Sequence, residues 1–228
     1  MIKAFNLKEN IRFKHVLFDL DGTLTDSAEG VTRSVQYALQ KYGIETDLEE
    51  LKSFVGPPLH WSFENSYGFS KAKALQAVEY YREYYREKGI FENKLYPKIT
   101  EMLEALLKSG ASLYVATSKP TVFALQVLQH FNIDSYFATI AGSNLDGTRV
   151  DKSEVIDFVL TNNGDIDKNR TVMVGDRKHD ILGARTCGLD SIAVTYGYGS
   201  PTELTTADPT FIIYSVEELS EFLLSALT

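Results

Sequence analysis

The sequence predicts an α/β protein: a doubly wound parallel sheet with a small inserted α-helical domain. Three observations predict it. From residue 95 onward, short apolar runs alternate with segments of helical spacing, as in a parallel sheet with helices on both faces. Near the N-terminus an isolated apolar run, Val16-Leu17-Phe18, stops on Asp19-Leu20-Asp21-Gly22, as a buried strand does when it reaches a polar sheet edge. Between the two regions, residues 27–93 show helical spacing and no strand pattern. Residues 1–26 and 95–228 are therefore expected to form the core, and 27–94 a helical insert.

Taken along the chain, residues 27–42 read as a helix with Val31, Val35, Ala38 and Leu39 on one stripe and Gly43 as its stop. A short helix over 47–54 precedes a loop, 55–61, that Gly56, Pro57 and Pro58 stiffen. Residues 71–88 return to helix, with Leu75, Val78, Tyr81 and Tyr85 at helical spacing. In the core, helices are expected over 99–108, 121–130, 153–161, 179–187 and 216–226. Strands are expected over 112–117, 136–141, 171–175, 191–195 and 210–213, with a loop over 197–201. Right-handed crossovers bring the strand ends at Asp19, Thr117 and Gly175 to one edge, where ligands of such sheets bind.

Composition narrows the function. The 228 residues suffice for a sizeable core with a small accessory domain. With 23 Lys and Arg against 31 Asp and Glu, the net charge of -8 argues against long nucleic acid, but not against a small phosphorylated ligand. Cys187 is the single cysteine, which excludes an intrachain disulfide and a thiolate metal cluster. Neither a signal-peptide core nor a membrane-spanning run is visible, so a cytoplasmic protein is expected. Oligomeric state is not legible.

Four short segments carry candidate chemistry. Asp19 and Asp21 share a face of an extended segment, and carboxylates at a buried strand end call for a cation such as magnesium, with phosphate drawn to it. The ordinary alternative is an Asp-Gly turn. Thr117-Ser118 can grip phosphate oxygens or simply cap the next helix before Pro120; Lys119 beside them faces phosphate or solvent. Lys152 precedes a helix, where lysines are usually solvated. Gly175-Asp176-Arg177-Lys178-His179-Asp180 places two acids four residues apart after a strand, suiting one hard cation, although Asp180 also suits a helix N-terminus. His179 and Arg149 read as surface residues.

Together, in this order and on this frame, the four segments resemble the haloacid dehalogenase superfamily. Its phosphatase branch opens with Asp-x-Asp-Gly-Thr, as residues 19–23 do here. The resemblance implies a Rossmann-like core with a type 1 helical cap, closest to the phosphoglycolate phosphatase and 5′-nucleotidase-like subgroup. It implies Asp19 as the nucleophile forming an aspartyl-phosphate, and Asp21 as general acid and then base. It implies Mg2+ held by Asp19, Asp176 and the backbone carbonyl of Asp21. Gly22, Thr117 and Ser118 would hold phosphate, Lys152 would neutralise it, and Asp180 would hold a metal water or orient Lys152. Substrate choice would fall to the cap, with Gly56, Pro57 and Arg33 as candidates and Arg82 and Arg86 behind them. Tyr80, Tyr81, Tyr84 and Tyr85 read as cap core and interface. One departure is Tyr96-Pro97-Lys98, where relatives carry glycine after the proline, suggesting a stiffer hinge. The expected activity is a magnesium-dependent phosphatase acting on a small phosphate monoester. Phosphoglycolate, a nucleoside monophosphate and a sugar phosphate all stay open. A sugar phosphomutase and a non-catalytic phosphate-sensing module are the alternatives.

Overall fold

A computed structural model describes residues 13–164 and 166–227; residues 1–12, part of the expected core, lie outside the described residues, as do 165 and 228. Strand β1 (His15–Phe18) has Val16, Leu17 and Phe18 fully buried, as a strand covered on both faces requires. A two-residue strand β2 (Thr25–Asp26) leads into α1 (Ala28–Gln40), whose buried stripe is the expected one. A 3-10 turn (Glu50–Phe54), α2 (Leu59–Tyr67) and α3 (Lys71–Tyr84) follow. The expected helix over 71–88 does not stay α-helical. Its last turn widens into a π-turn (Tyr85–Gly89), where the Ile90 N–H reaches back to the Tyr85 carbonyl at 2.9 Å. Strand β3 (Lys94–Leu95) pairs antiparallel with β2, so a short ribbon marks both crossings between core and insert.

The core continues with α4 (Ile99–Lys108), β4 (Ser112–Pro120), α5 (Thr121–His130), β5 (Thr139–Ser143), α6 (Lys152–Asn162) and β6 (Thr171–Gly175). It closes with α7 (Lys178–Cys187), β7 (Asp190–Val194), α8 (Pro201–Ala207), β8 (Phe211–Ile213) and α9 (Val216–Leu227). Strand β5 starts later than expected because a 3-10 turn (Asp134–Tyr136) takes up the start of the apolar run. Two helices were not expected. Trp61 is helical in α2, which starts straight after Pro58, and α8 is opened by a Ser200 cap and Pro201. Lys98, just before α4, has φ 67°, the left-handed backbone glycine adopts at least cost. The departure at that position is therefore a strained residue rather than a neutral substitution.

Six strands form one parallel sheet in the order β5-β4-β1-β6-β7-β8. The chain leaves β1 toward β4 on one side and returns to add β6 on the other. The topological switch point thus lies between β1 and β6, with Phe18 level with Val174. Asp19 and Asp176, the residues that follow these two strands, open onto that crevice. Among the described residues, no helix is long and apolar enough to cross a membrane.

Candidate active site

Asp19 leaves β1 with its N–H bonded to the Val174 carbonyl at 2.9 Å, so it remains in register with the end of β6. Gly22 turns the chain at φ 87°, and a Cβ there would run into the Asp176 carboxylate. Glycine is needed for backbone and for space alike. At Gly175 and Gly197 space alone requires glycine, since a Cβ would strike Asp180 and Asp176 respectively. These glycines bring three acids together: Asp19, Asp176 and Asp180 are all buried and present carboxylate oxygens within 4.8 Å of one another.

Lys152 is the cation among them. An Asp151–Glu154 capping box starts α6, and the Lys152 stem runs over Gly183 of α7. Its ammonium lies 2.8 Å from Asp19 Oδ1, 2.7 Å from Asp180 Oδ1 and 2.9 Å from the Ala116 carbonyl. Asp19 and the Ala116 carbonyl accept hydrogen bonds from it, and Asp180 is its ion-pair partner. Burial opposes this charge, but Asp180 and Asp19 outweigh it and hold the lysine pKa above its ordinary value. Asp180 does two jobs, since Oδ2 also accepts the Arg177 N–H at 3.0 Å and caps α7. The acid at the helix N-terminus is thus also the one that pairs with Lys152.

The charges do not balance. Burial pushes the Asp19 carboxyl up, with Lys152 opposing and Asp180 adding to the rise. Burial also raises the Asp176 carboxyl, and the charges of Asp19 and Asp180 add to it. Among the described residues the hydrogen-bond donors to Asp176 are neutral: the Tyr198 N–H at 2.7 Å and the Thr23 hydroxyl at 3.5 Å. Three buried carboxylates around one ammonium leave an excess of negative charge, and carboxylate oxygens are the ligand type that a hard divalent cation takes.

Asp21 lies two residues on, and its Oδ2 is 2.6 Å from the Lys119 ammonium. Lys119 is buried and does not face open solvent; its ammonium is tied to Asp21. The Thr117 hydroxyl accepts the Lys119 N–H at 3.3 Å and, with Lys152, opposes the rise of the Asp19 carboxyl. Ser118 uses its carbonyl to accept the Ser143 hydroxyl, which anchors the end of β4 to β5.

The insert's candidates separate. Arg33 pairs with Glu29 and Glu92 at 3.0 and 3.4 Å and lines a cavity of about 290 Å3 that also includes Asp26. Arg82 pairs with Glu79, and the Arg86 guanidinium lies over Phe123. The loop holding Gly56 and Pro57 is docked on the core, where Arg177 Nη1 donates to the Val55 carbonyl at 2.5 Å. A Cβ on Gly56 would strike that guanidinium. Tyr81 and Tyr85 are buried and stacked 5.3 Å apart, and the Lys119 ammonium lies 5.0 Å from the Tyr85 ring centre. Arg149 is not a free surface residue: it bonds the Gly142 carbonyl and Thr121 hydroxyl and lies over Phe158. His179 is half-buried, and burial lowers its pKa. Sequence reasoning missed Arg177, Tyr198 and the direction of Lys119. Position alone, just after Asp176 and Ser118, was the available signal for the first and last.

The pattern has relatives. Residues 16–194 match the model of the haloacid dehalogenase-like hydrolase family. The chain belongs to this family. A 5′-nucleotidase of Pseudomonas aeruginosa is 48% identical over 93% of this chain and 96% of its own. The crystal structure of a predicted phosphatase from Clostridium acetobutylicum superposes with a TM-score of 0.90 at 48% identity, covering 94% of this chain and 99% of that one. The tyrosine-protein kinase PtkA of Mycobacterium tuberculosis is 37% identical over 91% of this chain and 72% of its own length. A shared frame thus carries relatives with different names, and the family's hydrolytic chemistry has to be read from the residues in the crevice.

Proposed function

We propose that this haloacid dehalogenase-like enzyme is a phosphatase of small phosphate monoesters and works through an aspartyl-phosphate on Asp19. The observation that carries the reading is the Lys152 anchor. By holding Asp19 Oδ1 in place, Lys152 leaves Asp19 Oδ2 to attack phosphorus from a fixed direction. Asp21 lies beside the leaving oxygen, gives it a proton, and then takes one from the water that releases phosphate. Thr117 and the backbone amides after Asp19 and Thr117 receive the phosphoryl oxygens. Mg2+, held by Asp19, Asp176 and the Asp21 carbonyl, would neutralise phosphate charge and offset the excess of buried carboxylate. Asp180 acts through Lys152. The helical insert, residues 27–94, acts as a cap that closes over the crevice and excludes water.

Supporting this reading, the Pseudomonas relative is named for hydrolysis of a phosphate monoester. The test is phosphate release from phosphoglycolate, nucleoside monophosphates and sugar phosphates, with and without Mg2+, beside Asp19→Asn. Metal-dependent release abolished by the substitution is expected. Phosphate moving between positions of a sugar without release, or ATP consumed only when a protein acceptor is present, would overturn it.

A further inference from the structure

Tyr85 carries an inference beyond the chemical step. It is 2% exposed, and its hydroxyl finds no hydrogen-bond partner among the described residues. A buried phenol without a partner forfeits the hydration it had in the unfolded chain, and phenylalanine would pack there without that cost. The ring is not free to turn the hydroxyl elsewhere. Tyr81 stacks on one face at 5.3 Å, and Phe123 of the core meets it edge-on at 5.4 Å. The backbone beneath it is equally fixed. Tyr85 opens the π-turn, whose end at Gly89 is pressed against Gly30 of α1 so closely that neither glycine can take a Cβ.

The Tyr85 ring stands beside the reacting end of the crevice. Lys119 joins the two, with its ammonium 2.6 Å from Asp21 Oδ2 and 5.0 Å from the Tyr85 ring centre. Asp21 Oδ1 is likewise buried and without a hydrogen-bond partner among the described residues. A carboxylate oxygen without a partner on the core side and a hydroxyl without one on the insert side thus belong to the two residues that flank the Lys119 ammonium. The proton to be delivered by Asp21 belongs to the leaving oxygen, so the space served by both is that of the leaving group.

We infer that Tyr85 is a specificity-determining residue, whose hydroxyl donates a hydrogen bond to a second oxygen on the leaving group, beyond the ester oxygen. This rests on the phosphatase reading above. It selects esters of small alcohols carrying a hydroxyl, ether or carboxylate oxygen over plain alkyl phosphates. A site whose buried donor is left unpaired rejects the analogue that lacks the acceptor.

The test compares kcat/KM for 2-hydroxyethyl phosphate, glycerol phosphate and phosphoglycolate with that for propyl phosphate, in the wild type and in Tyr85→Phe. The wild type is expected to prefer the oxygen-bearing esters, and the substitution to shrink that ratio about five- to tenfold, the worth of one hydrogen bond. Whether the hydroxyl or the carboxylate ester loses more identifies the oxygen that is bound. Thermal unfolding without substrate gives a readout independent of turnover. Removing a hydroxyl that bonds nothing should leave Tm equal or higher. A preserved ratio, or a lower Tm showing a structural partner, overturns the inference while leaving the phosphatase standing. Loss of all turnover in the wild type would instead sink the reading it rests on.

Discussion

Lys152 illustrates how much one buried side chain has to do. It compensates Asp19 and Asp180 at once in a place where none of the three would be tolerated alone. Lys152→Met fills a similar volume but leaves two carboxylates unpaired in a dry crevice. The expected result is loss of turnover with a fall in stability of about 3–5 kcal/mol, read by urea unfolding. Lys152→Arg should not rescue either property, because three oxygens converge on a single nitrogen and a planar guanidinium cannot meet them. Wild-type stability in the methionine variant would mean that Asp19 and Asp180 are protonated or solvated. What was legible at this scale depended on sequence distance. Asp19, Asp21, Asp176 and Asp180 lie in two short segments whose spacing implies shared faces. The Lys119 pairing with Asp21 spans 98 residues, and no local pattern encodes it. Arg33 shows the converse: its helix position is local and legible, whereas the pairing with Glu92 across 59 residues is not.

Elements were legible where their period was regular and hidden where a tertiary contact overrode it. The six sheet strands and the large core helices follow from alternating apolar runs. The π-turn does not, since residues 85–88 carry on the helical spacing of α3 and only packing on α1 widens the last turn. That packing is a glycine-to-glycine contact. A Cβ at Gly30 would enter the space of the Gly89 carbonyl, and one at Gly89 would meet the Ser34 hydroxyl. Gly30→Ala should therefore push the π-turn off α1, although alanine is the better helix former on an exposed site. The expected cost is about 1–3 kcal/mol of stability, the usual range for overpacking, measured by thermal or urea unfolding. If the helix propensity gain prevails and the variant is more stable than wild type, the close approach is not a constraint on the fold.

At the scale of the molecule, the contacts between core and insert include a ribbon, a tyrosine seam and the Arg177 guanidinium. Arg177 directly follows Asp176, holds the Val55 carbonyl of the insert with Nη1, and is gripped by Glu203 of α8 through Nε at 2.9 Å and Nη2 at 3.3 Å. The residue that touches the insert is thus tied to the loop that carries an acid of the crevice. Partial burial pushes the Glu203 carboxyl up, but the Arg177 contact and the Lys178 N–H prevail and hold it below the ordinary glutamate value. A carboxyl with a depressed folded-state pKa stabilises the folded form above its unfolded value, and that contribution is lost as pH falls through the folded one. The grip on Arg177, and through it the docking of the 55–58 loop, should therefore weaken on acidification below about pH 4.3, the unperturbed glutamate value. Hydrogen-exchange protection of the segment 50–67 measures this directly. In the wild type, protection should fall through that window. In Glu203→Gln it should already be lower at neutral pH and lack that part of the fall, since other acids titrate equally in both proteins. Identical pH courses in the two proteins would show that the insert stays docked without the clasp, held by its other contacts with the core.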